Sequence, residues 1–223
     1  MNSVKPISKL EIIKNQIAEQ EIEAGQKKGS VKLIAVSKTK PMDQIEPVID
    51  EGQFHFGENK VQEAALKWQE FKENNKTINL HLLGPLQSNK VKKVFGLFDY
   101  IHSVDRKSLA EKISNEAQKK GFCPKIFIQV NTGLEEQKAG IEPEKLNDFL
   151  KSIRKSMDLN IVGLMCIPPI NESAETHFNF LKKLADENDL LELSMGMSLD
   201  YLTAIKCGAT YVRVGTAIFG SRQ

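Results

Sequence analysis

The chain has 223 residues, of which 40% are hydrophobic and 27% charged, with a formal net charge of +2. That size and balance fit one globular domain over residues 1–223, and the near-neutral charge supplies no electrostatic footprint for nucleic acid or an anionic membrane. No apolar stretch approaches the roughly 20 residues that span a bilayer.

Segment 1–5 leads into no apolar signal core, so a cytoplasmic protein is expected. Cys123, Cys166 and Cys207 are odd in number and lack metal-type spacing, which suits reduced thiols in that compartment.

In chain order, the first thirty residues read as a helix with Leu10, Ile13, Ile17 and Ile22 on one face. Short apolar runs then alternate with longer amphipathic ones. Strands are expected at 32–37, 54–56, 79–83, 100–102, 125–130, 160–165, 191–195 and 211–214. Helices are expected between them at 43–51, 60–72, 89–95, 107–119, 143–155, 174–188 and 199–206. Gly52, Gly121 and Gly208 follow helical runs, where positive φ is easily placed. Asp105 and Ser198 stand where N-caps belong, and Pro47 should shorten or kink the first inter-strand helix.

Such alternation implies an α/β fold with a parallel sheet. Eight repeats predict closure into a single (β/α)8 TIM barrel with an extra N-terminal helix. An open doubly wound sheet is the competing architecture, but no Gly-x-Gly-x-x-Gly follows the first strand.

In a barrel, chemistry collects at the C-terminal ends of the strands. Lys38 stands there after strand one, Asn59 after strand two and Met165 at the end of strand six. A lysine amine can form a Schiff base with an aldehyde. Burial near another cation, such as Arg213, would lower its pKa and expose the neutral amine, whereas a surface lysine is the plain alternative. Ser198 after strand seven and Gly215-Thr216 after strand eight occupy the loops where barrels often bind phosphate, although two ordinary turns would look the same. Pyridoxal 5′-phosphate carries both an aldehyde and a phosphate. Arg213, if it points inward, could donate to the pyridine nitrogen and keep it unprotonated, a weaker electron sink. Pairing with a carboxylate elsewhere is its plain alternative.

His55, His81, His102 and His177 lack ligand spacing. Lys90-Val91-Lys92-Lys93 reads as a solvated helix face, Trp68 and Phe71 as packing, and Lys138 as a loop lysine.

Six segments, in order, resemble the YggS/PROSC family of pyridoxal phosphate homeostasis proteins. They are Ala35-Val36-Ser37-Lys38-Thr39-Lys40-Pro41, Phe56-Gly57-Glu58-Asn59-Lys60-Val61-Gln62-Glu63 and His81-Leu82-Leu83-Gly84-Pro85-Leu86-Gln87-Ser88-Asn89-Lys90, then Gly163-Leu164-Met165, Leu193-Ser194-Met195-Gly196-Met197-Ser198 and Val212-Arg213-Val214-Gly215-Thr216-Ala217-Ile218-Phe219-Gly220. The resemblance implies a barrel related to the alanine racemase N-terminal domain, with pyridoxal phosphate held on Lys38 as an internal aldimine. It implies that Ser198, Gly215 and Thr216 hold the phosphate and that Arg213 faces the ring nitrogen. Asn59 and His81 are expected near the ring, and Met165 completes the cofactor-binding set. It further implies a monomeric carrier in vitamin B6 homeostasis, without robust catalysis, that could supply pyridoxal-phosphate-dependent apoenzymes.

Two other functions compete. A racemase needs a second acid/base, which in alanine racemase is a tyrosine from a C-terminal domain. The expectation here is that no such domain follows and that Tyr100, Tyr201 and Tyr211 do not replace it. A Schiff-base aldolase would use Lys38 on substrate instead.

Overall fold

Strands rich in β-branched and aliphatic residues, each followed by a helix, build a parallel sheet whose outer face the helices cover and whose inner face is covered by closing on itself. The computed structural model describes residues 7–75 and 77–220; segment 1–5 lies outside them. Strands β1 (Lys32–Val36), β2 (His55–Glu58), β3 (Asn79–Leu82), β4 (Tyr100–Val104), β5 (Lys125–Gln129), β6 (Ile161–Met165), β7 (Glu192–Ser194) and β8 (Tyr211–Val214) form a closed parallel barrel in sequence order. The barrel shuts where Lys32 to Ala35 of β1 pair with Tyr211 to Val214 of β8. The expected (β/α)8 architecture is the one observed.

Among the described residues the helices are α1 (Lys9–Glu23), α2 (Met42–Asp50), α3 (Val61–Asn74), α4 (Val91–Val94), α5 (Lys107–Lys120), α6 (Leu146–Ser156), α7 (Ala174–Asp186), α8 (Tyr201–Lys206) and α9 (Thr216–Phe219). None of them is long and apolar enough to cross a membrane. The large core lies between sheet and helices; Trp68 of α3 is fully buried there and meets Phe71 edge-on at 5.9 Å. A second cluster of Ile34, Tyr100, Phe127, Met165 and Tyr211, drawn from five strands, fills the barrel interior.

Helix α1 is capped by Ser8, whose hydroxyl accepts from the Glu11 amide. It buries Leu10, Ile13, Ile17 and, in its last turn, Gln20 and Glu21, but leaves Ile22 64% exposed, because five residues past Ile17 it falls off the buried face. Glu21 closes the turn into β1 by accepting from the Gly29 and Val31 amides.

Several local expectations are corrected. Pro47 does not shorten α2, which runs from Met42 to Asp50. Asp105 does not cap α5; it pairs with Arg106, and Arg106 occupies the cap position without a side-chain bond. Ser198 is not the cap of α8: Asp200 stands there, and its Oδ1 accepts from the Met197 amide at 2.6 Å. The helices expected at 89–95 and 143–155 each open with a 3-10 turn, at Ser88–Lys90 and Pro143–Lys145. The short α9 was not expected from periodicity at all.

Candidate functional site

At the C-terminal mouth of the barrel, Lys38 sits in a turn that follows β1 and is half-buried. The residues around it are pinned from β2 and α3. Lys67 of α3 spends its three N–H donors on the Ser37 carbonyl at 2.8 Å, the Lys40 carbonyl at 3.0 Å and Glu58 Oε1 at 2.7 Å. Glu58, fully buried at the end of β2, also accepts from the Ser37 hydroxyl at 2.6 Å and from the Trp68 indole at 2.9 Å. One turn on, Glu63 accepts from the Thr39 amide at 2.6 Å. Thr39 has φ +63°, a left-handed conformation that costs a β-branched residue energy and persists only where its neighbours over-determine it. The Lys40 ammonium reaches across to the Phe219 carbonyl at 3.2 Å, joining this turn to α9.

Beside it, β8 runs into Gly215 and α9. A Cβ built on Gly215 would lie 3.1 Å from the Val36 carbonyl, so the end of β1 and the last turn are in direct contact. The N-terminus of α9 has no side-chain cap, and among the described residues the Thr216 and Ala217 amides have no acceptor. The loop after β7 lies alongside, because the Gly196 carbonyl accepts from the Arg213 amide at 3.0 Å. Gly196 has φ +88°, and a built Cβ would sit 2.5 Å from that of Ala204, so only glycine fits. Ser198 is half-buried in that loop and Thr216 is exposed.

Arg213 enters from β8 and is 5% exposed. Its Nη1 donates to the Ser194 carbonyl at 2.8 Å and the Ser194 hydroxyl at 2.9 Å, and its Nη2 to the Cys166 carbonyl at 2.8 Å. No carboxylate is within ion-pair distance among the described residues, and desolvation pushes the Arg213 pKa down. A guanidinium has five N–H groups. Three are committed, which leaves one on Nη2 and the one on Nε for a ligand. The Cys166 thiol is pushed up to about 12 by burial and stays protonated.

Lys38, Ser198, Arg213, Gly215 and Thr216 therefore come from three adjacent strand ends, β7, β8 and β1. Asn59 is half-buried just past β2. Met165 is buried in the interior cluster. His81 does not meet the mouth: it is fully buried, and both ring nitrogens are taken by other imidazoles, His55 and His102, at 2.9 Å each. These histidines pair with one another and do not converge on a point. The Glu58, Glu63 and Lys67 clamp was missed from the sequence. Its signal was faint: an i, i+4 Glu–Lys pair on α3, among many such pairs, and a carboxylate at the end of a strand that must be buried. Lys138, weighed as a loop lysine, pairs with Glu135 and donates to the Pro168 carbonyl.

The profile of the alanine racemase N-terminal domain matches residues 12–223. A pyridoxal phosphate homeostasis protein of Pasteurella multocida is 39% identical over 211 residues, covering 90% of this chain and 91% of its own. PipY of Synechococcus elongatus, solved with pyridoxal phosphate bound, is 41% identical, with a TM-score of 0.80 over 92% of this chain and 100% of its own. Alanine racemase of Clostridium difficile shares the fold at a TM-score of 0.72, but only 14% identity, and 57% of its length is covered. With relatives this similar along almost its whole length, the chain belongs to the pyridoxal phosphate homeostasis proteins, a family built on the alanine racemase N-terminal barrel.

Proposed function

We propose that this chain binds pyridoxal 5′-phosphate at the mouth of its one barrel domain and serves vitamin B6 homeostasis as a carrier, not as an enzyme. The observation that carries this reading is the pairing of a clamped lysine turn with the adjacent Thr216 and Ala217 amides of α9, which have no acceptor among the described residues. The Thr216 and Ala217 amides and the Ser198 and Thr216 hydroxyls form a donor set that suits a phosphate dianion. When bound, the cofactor supplies an aldehyde that condenses with a primary amine to a Schiff base, with loss of water.

Lys38 supplies that amine. The clamp of Glu58, Glu63 and Lys67 holds the backbone of the Lys38 turn in one conformation, so only the lysine side chain has to be ordered at binding. Arg213 offers its remaining N–H groups to the ring nitrogen. Because a guanidinium does not give up its proton, that nitrogen stays unprotonated and carbanion chemistry is disfavoured. The same reading has Asn59 and Met165 flanking the ring, while His81 acts from beneath and not by contact. The chain works in the cytoplasm as a monomer, and apoenzymes that need the cofactor are its recipients.

The test is reduction of the loaded protein with borohydride, followed by mass measurement and peptide mapping. One pyridoxyl-phosphate adduct on Lys38 is expected, and the visible absorbance is expected to vanish in Lys38→Ala. An adduct on another lysine, or no adduct, refutes the assignment.

A further inference from the structure

A continuous polar chain crosses the barrel interior. The Arg213 Nη1 lies 2.9 Å from Ser194 Oγ, which lies 2.9 Å from His102 Nδ1. His102 Nε2 lies 2.9 Å from His81 Nδ1, and His81 Nε2 lies 2.9 Å from His55 Nδ1. Two of the three rings are held in place by a stacked aromatic neighbour: His81 stacks on Tyr100 at 4.1 Å and His102 on Phe127 at 4.3 Å. His55 ends the chain and lines a cavity of about 550 Å³ at the N-terminal end of the barrel, together with Lys14, Glu21, Phe54 and Asn79. The series thus runs from the mouth to the opposite end.

We propose that Ser194, His102, His81 and His55 form a one-directional relay, each imidazole protonated on Nε2, that positions Arg213 from the far end of the barrel. The direction follows from donor accounting. Arg213 can only donate, so Ser194 Oγ accepts from it. The Ser194 hydroxyl is fully buried, and its other hydrogen-bond neighbour among the described residues is His102 Nδ1, so its proton goes there. His102 Nδ1 is then an acceptor, its Nε2–H donates to His81 Nδ1, and the His81 Nε2–H donates to His55 Nδ1. The reverse arrangement puts two donors on Ser194 Oγ and strands its buried proton, an omission that typically costs about 1–3 kcal/mol. The relay also turns the electron-rich nitrogen of every ring toward the Arg213 cation, which has no carboxylate within ion-pair distance among the described residues; Asp200 acts on it only from farther off. Burial favours the neutral form of all three rings, with neighbouring cations acting in the same direction.

The role of the relay at the mouth rests on the proposed cofactor reading; the tautomers do not. Two-bond proton–nitrogen correlation spectra of the uniformly 15N-labelled, cofactor-free protein at neutral pH read them directly. Nε2–H forms of His55, His81 and His102 are expected, and an Nδ1–H form or an imidazolium at any of the three overturns the relay. Positioning is read from two variants that divide the ring. His102→Asn keeps an acceptor for Ser194 but loses the link to His81; His102→Gln does the reverse. The slowly exchanging Nη1–H signals of Arg213 are expected to persist in His102→Asn and to be lost in His102→Gln. Signals unchanged in both variants would remove His102 as a positioning residue. In the loaded protein, His102→Gln is expected to shift the visible band and His102→Asn to leave it in place. A wild-type protein that shows the three expected tautomers but takes up no cofactor would support the relay and refute the cofactor reading alone.

Discussion

Glu58→Gln tests whether the Lys38 turn is held from beneath. The change is isosteric, and an amide oxygen in the place of Oε1 keeps the bonds from Ser37 and Trp68. What it removes is the charge. The Lys67 side chain is 9% exposed and Glu58 is 0% exposed, so the cation keeps the amide oxygen and the Ser37 and Lys40 carbonyls as neutral acceptors, and the carboxylate left to it among the described residues is the more distant Glu63, 3.8 Å away. Removing one partner of a buried pair typically costs about 3–5 kcal/mol. Because the amide oxygen keeps all three hydrogen bonds made to Oε1, the lower end of that range applies. At about 2–4 °C per kcal/mol for a chain of this size, the melting temperature should fall by roughly 6–12 °C. Lys67→Met should cost a similar amount by stranding the carboxylate, and the double variant should cost less than the sum, with a coupling above about 1 kcal/mol. Thermal unfolding followed by circular dichroism gives all four corners of the cycle. If Glu58→Gln melts within about 2 °C of the wild type, or if the two costs simply add, the clamp argument is wrong.

Three further outcomes are expected. Ser198→Ala or Thr216→Ala each removes one bond to a charged group, worth roughly 1.5–3 kcal/mol, so cofactor retention in equilibrium dialysis should fall more than tenfold; equal retention would put the phosphate in other loops. Burial and the nearby Lys32 lower the pKa of His55 to about 4, and His81 and His102 are held well below 6.5 as well. Between pH 6.5 and about 4 the unfolded chain therefore binds protons that the folded one does not, so stability should fall as pH drops through that window. Melting temperatures that stay flat across it would contradict neutral interior histidines. In Gly163→Ala, the new Cβ would lie 1.8 Å from the Glu192 carbonyl oxygen, which belongs to the backbone and cannot rotate away, so β6 and β7 must separate. Little soluble protein, or a melt lowered beyond any other single change here, is expected; normal yield and melting would refute it.

The parts of this structure that follow local rules were legible in the sequence. Eight apolar runs separated by amphipathic segments specify the barrel, and strand-end position alone brought Lys38, Arg213 and Gly215-Thr216 together. The parts decided by tertiary contact were not. Asp200, not Ser198, stands at the cap position of α8, and its carboxylate is spent backwards on the Met197 amide of the loop, not on a helix amide. Helix α9 has four residues, too few for a 3.6-residue period to register. His81 is expected near the ring from the family resemblance, not from any local rule. The inward alternation of β3 instead puts it a layer lower, stacked on Tyr100. Glu58 and Lys67 lie on different elements, and only the packing of α3 over β2 makes them a pair.

The interior also bears on whether the mouth can turn over amino acids. Two-base racemisation needs one proton-transfer group on each face of the reacting carbon. Lys38 could serve one face. Among the tyrosines, Tyr100 and Tyr211 sit in the barrel interior with hydroxyls 3.5 Å apart, and burial first, then the bond to Tyr100, raises the Tyr211 pKa. Tyr201 turns the other way and donates to Gln16 of α1 at 2.6 Å. His81 and His102 have both nitrogens engaged, and the Cys166 thiol is held protonated by burial. None of these groups is placed to exchange a proton opposite Lys38. The loaded protein incubated with L-alanine is therefore expected to yield no D-alanine on a chiral column above a Lys38→Ala control. D-alanine formed at a rate that depends on Lys38 would mean that a second proton-transfer group does reach the mouth, and the carrier reading would give way to a catalytic one.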